Sequence, residues 1–480
     1  MISYVSTRGG VLPQPFDEAV LQGFAEDGGL FVPETLPTLS MEELAELSRM
    51  DYPDLAAAIL SLFIDPSVIP EPDLARLAAD SFSSFDQGRV VELVPLNGDP
   101  ELLVMELFHG PTLSFKDIAM GFLIRTMDYL LQKRGDRVSI VLATTGDTGP
   151  AAAHAAANRP AIDCWPLYPK GMITREQELQ MTTLGAGNIH PVAVENCPDG
   201  GDDLDLVVAA LFADPQLKAR LRLSSVNSIN WCRVMVQAIH YFYGYFRACD
   251  TIGDPVVFSV PSGAFGNLFA GYLARRMGLP VTGFVCANNV NNALSTALTT
   301  GVFEKRPLRQ TVSSAIDIVV PYNFWRFLYF LGGSDPEKIN AWMTRFQTDG
   351  RVRVAEEMDL AVQQGFSAVT VSDADTLATI RQAFTADPPY LLDPHGAVAV
   401  AAAREAVSRY PAGTRMVCLA TAHPAKFPDI ITRALGTPDL PDQAVHPSLE
   451  QMRTRRRHVR ICDREHLAPA LIRAMEKHTP

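Results

Sequence analysis

From about Leu102 onward the chain alternates short apolar runs with glycine-bearing turns and alanine-rich or amphipathic stretches. That alternation predicts a parallel sheet with crossover helices. Three strand-turn-helix units stand out. In the first, LLVMEL from Leu102 precedes FHGPTLS and then FKDIAMGFLIRTMDYLLQ, where Ile118, Phe122, Leu123, Met127, Leu130 and Leu131 recur at helical spacing. In the second, VSIVLA from Val138 runs into TTGDTG and then PAAAHAAA, with Pro150 suited to the start of a helix. The third joins VVFSV from Val256 to PSGAFG and to NLFAGYLARRMG from Asn267. A further strand, RMVCLA from Arg415, enters the loop TAHPAKF. All four loops lie at carboxyl ends of strands, where open α/β sheets hold their ligands.

Residues 1–95 read differently, as short proline-punctuated stretches with helical patterning such as MEELAELSRM from Met41 and PDLARLAADSF from Pro72. They predict a helical N-terminal unit. The expected organisation is that unit, an α/β region over 96–255 with Lys116 and the GDTG loop, an α/β region over 256–440 with the PSGAFGN loop, and a basic C-terminal tail over 441–480. A length of 480 residues suits two or three domains. With 47% hydrophobic and 20% charged residues, the composition excludes extended disorder and fibrous repeats.

Charge and cysteines narrow the class. A net charge of −13 argues against general affinity for nucleic acid or anionic membrane, so an anionic ligand must find a local cationic pocket. The seven cysteines are scattered and never spaced as CxxC, the pattern of reduced thiols rather than of a disulfide framework or a zinc site. MISYVSTRGG lacks the apolar core of a signal peptide, and no apolar run reaches membrane-spanning length, so a soluble cytoplasmic protein is expected. The acidic DGGDD from Asp199 reads as a solvated loop with no metal. The basic RTRRRHVR from Arg453 reads as a solvated tail or a subunit contact, which leaves a homo-oligomer open.

The chemistry-bearing loops are individually weak signals. PSGAFGN, from Pro261 to Asn267, sets two glycines before a helix and suits a phosphate, although an ordinary glycine turn explains it equally. It matches neither the Walker A pattern nor GxGxxG. TTGDTG, from Thr144 to Gly149, offers hydroxyls and backbone donors for a carboxylate or phosphate, and a capping turn accounts for the same residues. Lys116 falls in the first turn of a helix, where the dipole disfavours it and a lowered pKa would suit a Schiff-base nucleophile. His109, His395 and His423 flank prolines or glycines without ligand spacing and read as loop-shaping residues. Together, a lysine, a phosphate loop and a carboxylate loop on successive strand ends are what an enzyme using pyridoxal phosphate on an amino acid needs.

The chain resembles the threonine synthase family of the bacterial and fungal type. The resemblance runs through YVSTRGG, AEDGGLFVPE, LFHGPTLSFKD, ATTGDTG, YPKGMI, QMTT, VNSINWCRVMVQ, VPSGAFGN, DPHGAVAV and TAHPAKF, over roughly the first 430 residues. It implies an α/β fold of the second pyridoxal-phosphate type, like the tryptophan synthase β chain. By motif it implies Lys116 as the aldimine lysine, with Gly263, Ala264, Phe265, Gly266 and Asn267 on the cofactor phosphate. Asp147 would lie near the cofactor O3′, and Thr421 would face the pyridine nitrogen. Thr144, Thr145 and Thr148 would meet the substrate carboxylate, and Ser228, Asn230 and Arg233 the substrate phosphate. Arg233 is the best cation of that set for a bidentate contact.

The activity so implied is conversion of O-phospho-L-homoserine and water to L-threonine and phosphate. The alternative is a threonine synthase-like phospho-lyase, which shares the steps through phosphate loss and releases 2-oxobutyrate and ammonia. Some positions depart from the family pattern. Ser262, Ala264 and Asn267 replace the variable residues of TGNFGD, and DDCQ is replaced around Gly201 to Leu204. IDIVVPYNFWRFLYFLGGSD from Ile316 looks more like the threonine synthase-like proteins.

Overall fold

The computed structural model describes residues 2–198 and 200–478. Two sheets organise it. The larger runs in the order Phe366–Thr370, Gly283–Asn288, Val256–Pro261, Arg415–Ala420, Leu102–Glu106 and Glu92–Pro95. Its neighbours are parallel except for the last pair, which is antiparallel. The smaller sheet runs Arg460–Asp463, Val192–Glu195, Ile162–Pro169, Val138–Ala143 and Leu223–Ser224, parallel throughout. Val256–Pro261, Gly283–Asn288 and Ile162–Pro169 are buried at every position, as parallel strands covered on both faces must be.

Helix Lys116–Arg134 forms the centre of the molecule. It packs against helices Glu71–Phe82, Thr148–Ala156 and Trp231–Ala248, which explains why its apolar residues are not confined to one stripe. It stops at Gly135, left-handed at φ 69°, after Lys133 and Arg134 have met the negative end of the dipole. The N-terminal unit carries helices Phe16–Gln22, Met41–Leu47, Tyr52–Ser61 and Glu71–Phe82, together with a short antiparallel pair, Tyr4–Ser6 with Phe31–Pro33. Its side chains enter the same apolar core as the central helix.

The sheets do not follow the linear division expected at 255/256. Leu102–Glu106 belongs to the larger sheet beside Arg415–Ala420, while Val138–Ala143 belongs to the smaller one. Parallel strands pair by apolar register through crossovers, so sequence neighbours can part.

Residues 441–480 also depart from the expected tail. They carry helix Pro447–Arg453, strand Arg460–Asp463 paired with Val192–Glu195, and helix Leu467–Glu476, whose Leu467, Leu471 and Met475 are buried in the core of the smaller sheet. The basic run stays exposed, as expected of a solvated segment, but two of its arginines are tied to the body of the protein. Arg453 meets Glu176 at 3.1 Å and Arg457 meets Glu178 at 2.5 Å, both on helix Arg175–Thr182. The acidic run is not a solvated loop. Asp199 lies outside the described residues, but helix Gly201–Ala213 begins in the run, and buried Asp203 accepts from Arg464 at 2.7 Å. No helix among the described residues is long and apolar enough to cross a membrane. All seven cysteines are free thiols.

Candidate active site

The loop that presents Lys116 is fastened to the TAHPAKF loop along its length. Leu107 N donates to Ala420 O at 3.0 Å, Phe115 N to Thr421 O at 2.9 Å, and His423 N to Leu113 O at 3.0 Å. Ser114 and Ala422 form an antiparallel bridge. Lys116 is thus set beside Thr421, which is 7% exposed, by main-chain bonds between two strand ends. The half-buried Lys116 amine is lowered to about 8. Burial is the main cause; the Asp147 carboxylate opposes it, and the Arg233 and Lys426 cations reinforce it.

Asp147 immediately precedes helix Thr148–Ala156, after a strand of the smaller sheet, and faces Lys116 without capping the helix. Burial alone would raise it, but Lys426 and Lys116 outweigh burial and hold the carboxyl down at about 2. Lys426 Nζ lies 2.6 Å from Asp147 Oδ1, and Gln177 Nε2 donates to the same oxygen at 3.0 Å. Gln177 is placed by a capping box with Thr174 that opens its helix. Asp117, next to Lys116, receives Thr112 N at 2.8 Å and Thr112 Oγ1 at 2.6 Å. Burial nevertheless raises its carboxyl to about 6.

In the PSGAFGN loop the left-handed residue is Phe265, at φ 61°, and not a glycine. Its buried ring packs on Phe324 and Phe327 with centroids 5.5 and 5.2 Å away, which holds the strained backbone in place. The glycines answer a different need, close approach. A Cβ on Gly263 would stand 3.0 Å from Ile316 Cα, and one on Gly266 would stand 3.1 Å from Asn323 Nδ2. Ile316 is placed in turn by buried His395, whose Nε2 accepts from Ala315 N at 3.1 Å while its Nδ1 meets Asp393 Oδ1 at 2.9 Å. Asn267 Oδ1 accepts from Tyr241 at 2.9 Å, and its buried Nδ2 has no partner.

Ser228 and Asn230 lead into helix Trp231–Ala248, and Arg233 lies in its first turn. Arg233 is 1% exposed, donates to Val226 O at 2.9 Å, and leaves its Nε buried without a partner. Among the described residues no carboxylate pairs with it, and burial lowers it to about 10. Arg326, fully buried, holds this loop: it donates to Ile229 O, to Phe31 O at 3.1 Å and to Asn323 Oδ1 at 2.6 Å.

The structure thus gathers Lys116, Asp147 and Arg233 around one point, with Thr421 beside the lysine and Ser228 against the glycine loop. A Cβ on Gly266 would stand 3.7 Å from Ser228 Cβ. Two expected ligands are otherwise engaged. Asn230 caps its helix, accepting from Cys232 N at 3.1 Å and donating to Val20 O at 2.8 Å, so its amide has no donor directed at a substrate. Thr144 Oγ1 accepts from Gly149 N at 3.0 Å and Gly146 N at 3.2 Å, shaping the turn from within. Thr145 and Thr148 remain partly exposed on the same loop. Ala264 and Gly263 are partly exposed as well, their backbone open at the helix start.

These residues fit pyridoxal phosphate: an amine of lowered pKa, a glycine cradle that side chains would fill, and an unpartnered buried donor on Asn267. Lys426, Gln177 and Arg326 were not singled out in the sequence, although Lys426 lies inside the TAHPAKF motif.

Three family models cover most of the chain: Threonine synthase N terminus over 3–82, Pyridoxal-phosphate dependent enzyme over 89–422, and Threonine synthase, C-terminal over 396–471. The last extends the likeness well beyond residue 430. The chain is 39% identical to the threonine synthase of Pseudomonas aeruginosa, over 90% of each protein. It is 37% identical to threonine synthase-like 2 of Xenopus laevis, over 95% of each. The crystal structure of threonine synthase with bound pyridoxal phosphate from Brucella melitensis superposes with a TM-score of 0.92 at 37% identity, covering 100% of both chains. With its models, its relatives and its fold in agreement, the chain belongs to the threonine synthase family of pyridoxal-phosphate dependent enzymes.

Proposed function

We propose that this protein converts O-phospho-L-homoserine and water to L-threonine and phosphate. The observation that carries the reading is the pairing of a Lys116 amine lowered to about 8 with a buried Arg233 that no carboxylate among the described residues pairs with. The first is a base and nucleophile poised near neutrality; the second is an anion site reserved for a ligand.

Pyridoxal phosphate, when bound, supplies the conjugated ring that takes up the electron pair left by the α proton. The chain does the rest. Gly263, Ala264, Phe265, Gly266 and Asn267 hold the cofactor phosphate, Thr421 serves the pyridine nitrogen and Asp147 the O3′ side. A neutral hydroxyl at Thr421 does not force protonation of that nitrogen. Lys116 Nζ, in its neutral form, takes the α proton of the substrate and is set to move the β proton. Arg233, with Ser228, holds the departing phosphate, while Thr145 and Thr148 at a helix start orient the substrate carboxylate. Replacement then depends on admitting one water at one face, a matter of orientation.

Product analysis with O-phosphohomoserine tests the proposal. Threonine and phosphate in equal amounts are expected; 2-oxobutyrate with ammonia in place of threonine would overturn it in favour of a phospho-lyase.

A further inference from the structure

Lys426 has no part in the reaction as set out above, yet it occupies a central position. It closes the short turn Pro424–Lys426 and is fully buried. Its ammonium lies 2.6 Å from Asp147 Oδ1 and donates to Thr112 O at 2.8 Å. Gln180 Nε2 donates to the same Thr112 oxygen at 2.8 Å, and Gln177 Nε2 to the same Asp147 oxygen at 3.0 Å. One side chain therefore joins three loops: the one that presents Lys116, the TTGDTG turn of the smaller sheet, and its own.

Stability alone is a poor reason for such a pair. Two charges taken out of water lose solvation that their attraction often fails to recover, and apolar replacements of similar volume are frequently neutral or better. The consequence for the neighbouring amine is more specific. The charged groups facing Lys116 are Asp147, Arg233 and Lys426. Asp117, next along the helix, is held away by both of its bonds to Thr112. Remove Lys426, and the Asp147 carboxylate is left with the Gln177 amide and the Lys116 amine. Attraction at close range then favours a protonated Lys116, which is neither base nor nucleophile.

We propose that Lys426 is a positioning residue whose ammonium occupies the Asp147 carboxylate and so keeps the Lys116 amine neutral and free to react. The inference rests on Lys116 being the lysine that binds the cofactor. It differs from a simple tether in what it predicts: loss of Lys426 moves a proton as well as loosening a loop.

The test uses full-length protein stripped of cofactor and mixed with pyridoxal phosphate, following growth of the bound-cofactor absorbance across a range of pH. The pH midpoint of the rate reports the amine, with no turnover involved. Lys426→Met should raise that midpoint by about one unit or more, a roughly tenfold loss of rate at neutral pH. Lys426→Arg should leave it near wild type. Lys426→Met combined with Asp147→Asn, which removes the carboxylate as well, should return it to the wild-type value or below. Should Lys426→Met fail to fold, Lys426→Gln, which keeps a donor for Thr112 without the charge, carries the same expectation. A slower rate at every pH with an unmoved midpoint overturns the inference, because a tether alone behaves that way. Lys116→Ala separates the two levels: absorbance that survives it refutes Lys116 as the cofactor lysine, whereas absorbance lost with an unmoved Lys426→Met midpoint refutes the role of Lys426.

Discussion

Single residues in this site are best understood by what each one lacks. A guanidinium that is 1% exposed, bonded to one carbonyl and unpaired at Nε, is an expense to the folded chain unless an anion visits it. Arg233 should therefore behave as a functional residue kept against stability. Arg233→Met is expected to hold or raise the melting temperature of the ligand-free protein. The same change should weaken binding of inorganic phosphate at least tenfold, since hydrogen bonds to charged groups contribute about 1.5–3 kcal/mol each. Calorimetric titration with phosphate alongside thermal melts checks both; a large fall in melting temperature with unchanged phosphate binding would make Arg233 structural. Lys116 stands out in the sequence by its place just after a strand-end loop, whereas Arg233 is marked only by the family resemblance of NSINWCR. Asn230, which the family resemblance implies as a ligand, and Thr144 have the polarity that also caps a helix and shapes a turn, a double use that one-dimensional reading does not separate. Lys426 was missed because its partner Asp147 is far away in the chain, and only the fold brings the two to 2.6 Å.

The strand-turn-helix elements were the most legible level, since apolar runs and glycine punctuation report local structure directly. What they concealed was how the third turn is held. The left-handed position falls on Phe265 and not on Gly263 or Gly266, so the shape of that loop depends on an aromatic ring packed on Phe324 and Phe327. Phe265→Gly poses the question cleanly. It relieves about 1–2 kcal/mol of left-handed strain, but gives up about 3–5 kcal/mol of aromatic burial and adds about 0.5–1 kcal/mol of backbone entropy cost. Burial wins, and a net loss of about 1.5–5 kcal/mol is expected, read as a lower urea midpoint, with weaker retention of pyridoxal phosphate on dialysis. Equal or greater stability in Phe265→Gly would show that strain dominates and that the ring contributes little.

For the whole molecule, net charge says little about the site. The chain carries −13, yet three cations, Arg233, Arg326 and Lys426, are buried in or around one site, beside the buried carboxylates Asp117 and Asp147. Closing that site involves the two ends of the sequence, since Arg326 reaches Phe31 O and Asn230 reaches Val20 O, while the last forty residues add an edge strand and a helix to the smaller sheet. This last contribution was the least legible feature. Four arginines between Arg453 and Arg457 dominate its composition, and its strand, Arg460–Asp463, is a short edge strand with Ile461 57% exposed, which leaves almost no apolar signature. Its helix, however, buries Leu467, Leu471 and Met475 at 0%, 2% and 0% exposure against Trp165, Val192 and Leu204. At about 1.5–3 kcal/mol for each buried side chain, their removal withdraws about 5–9 kcal/mol, comparable with the entire stability of an ordinary domain. It also frees helix Arg175–Thr182 from Arg453 and Arg457, and with it Gln177, which donates to Asp147. A chain ending at Leu440 should therefore lose cooperative unfolding in the smaller sheet and fail to hold pyridoxal phosphate. Replacing Arg453 and Arg457 by alanine in the full chain should cost less, about 1–3 kcal/mol, because both arginines are half exposed while the buried Glu176 loses its partner. Proteolysis and cofactor absorbance measured on both variants distinguish burial from charge: a truncated chain that stays protease-resistant and yellow would mean that the smaller sheet closes without its last strand and helix.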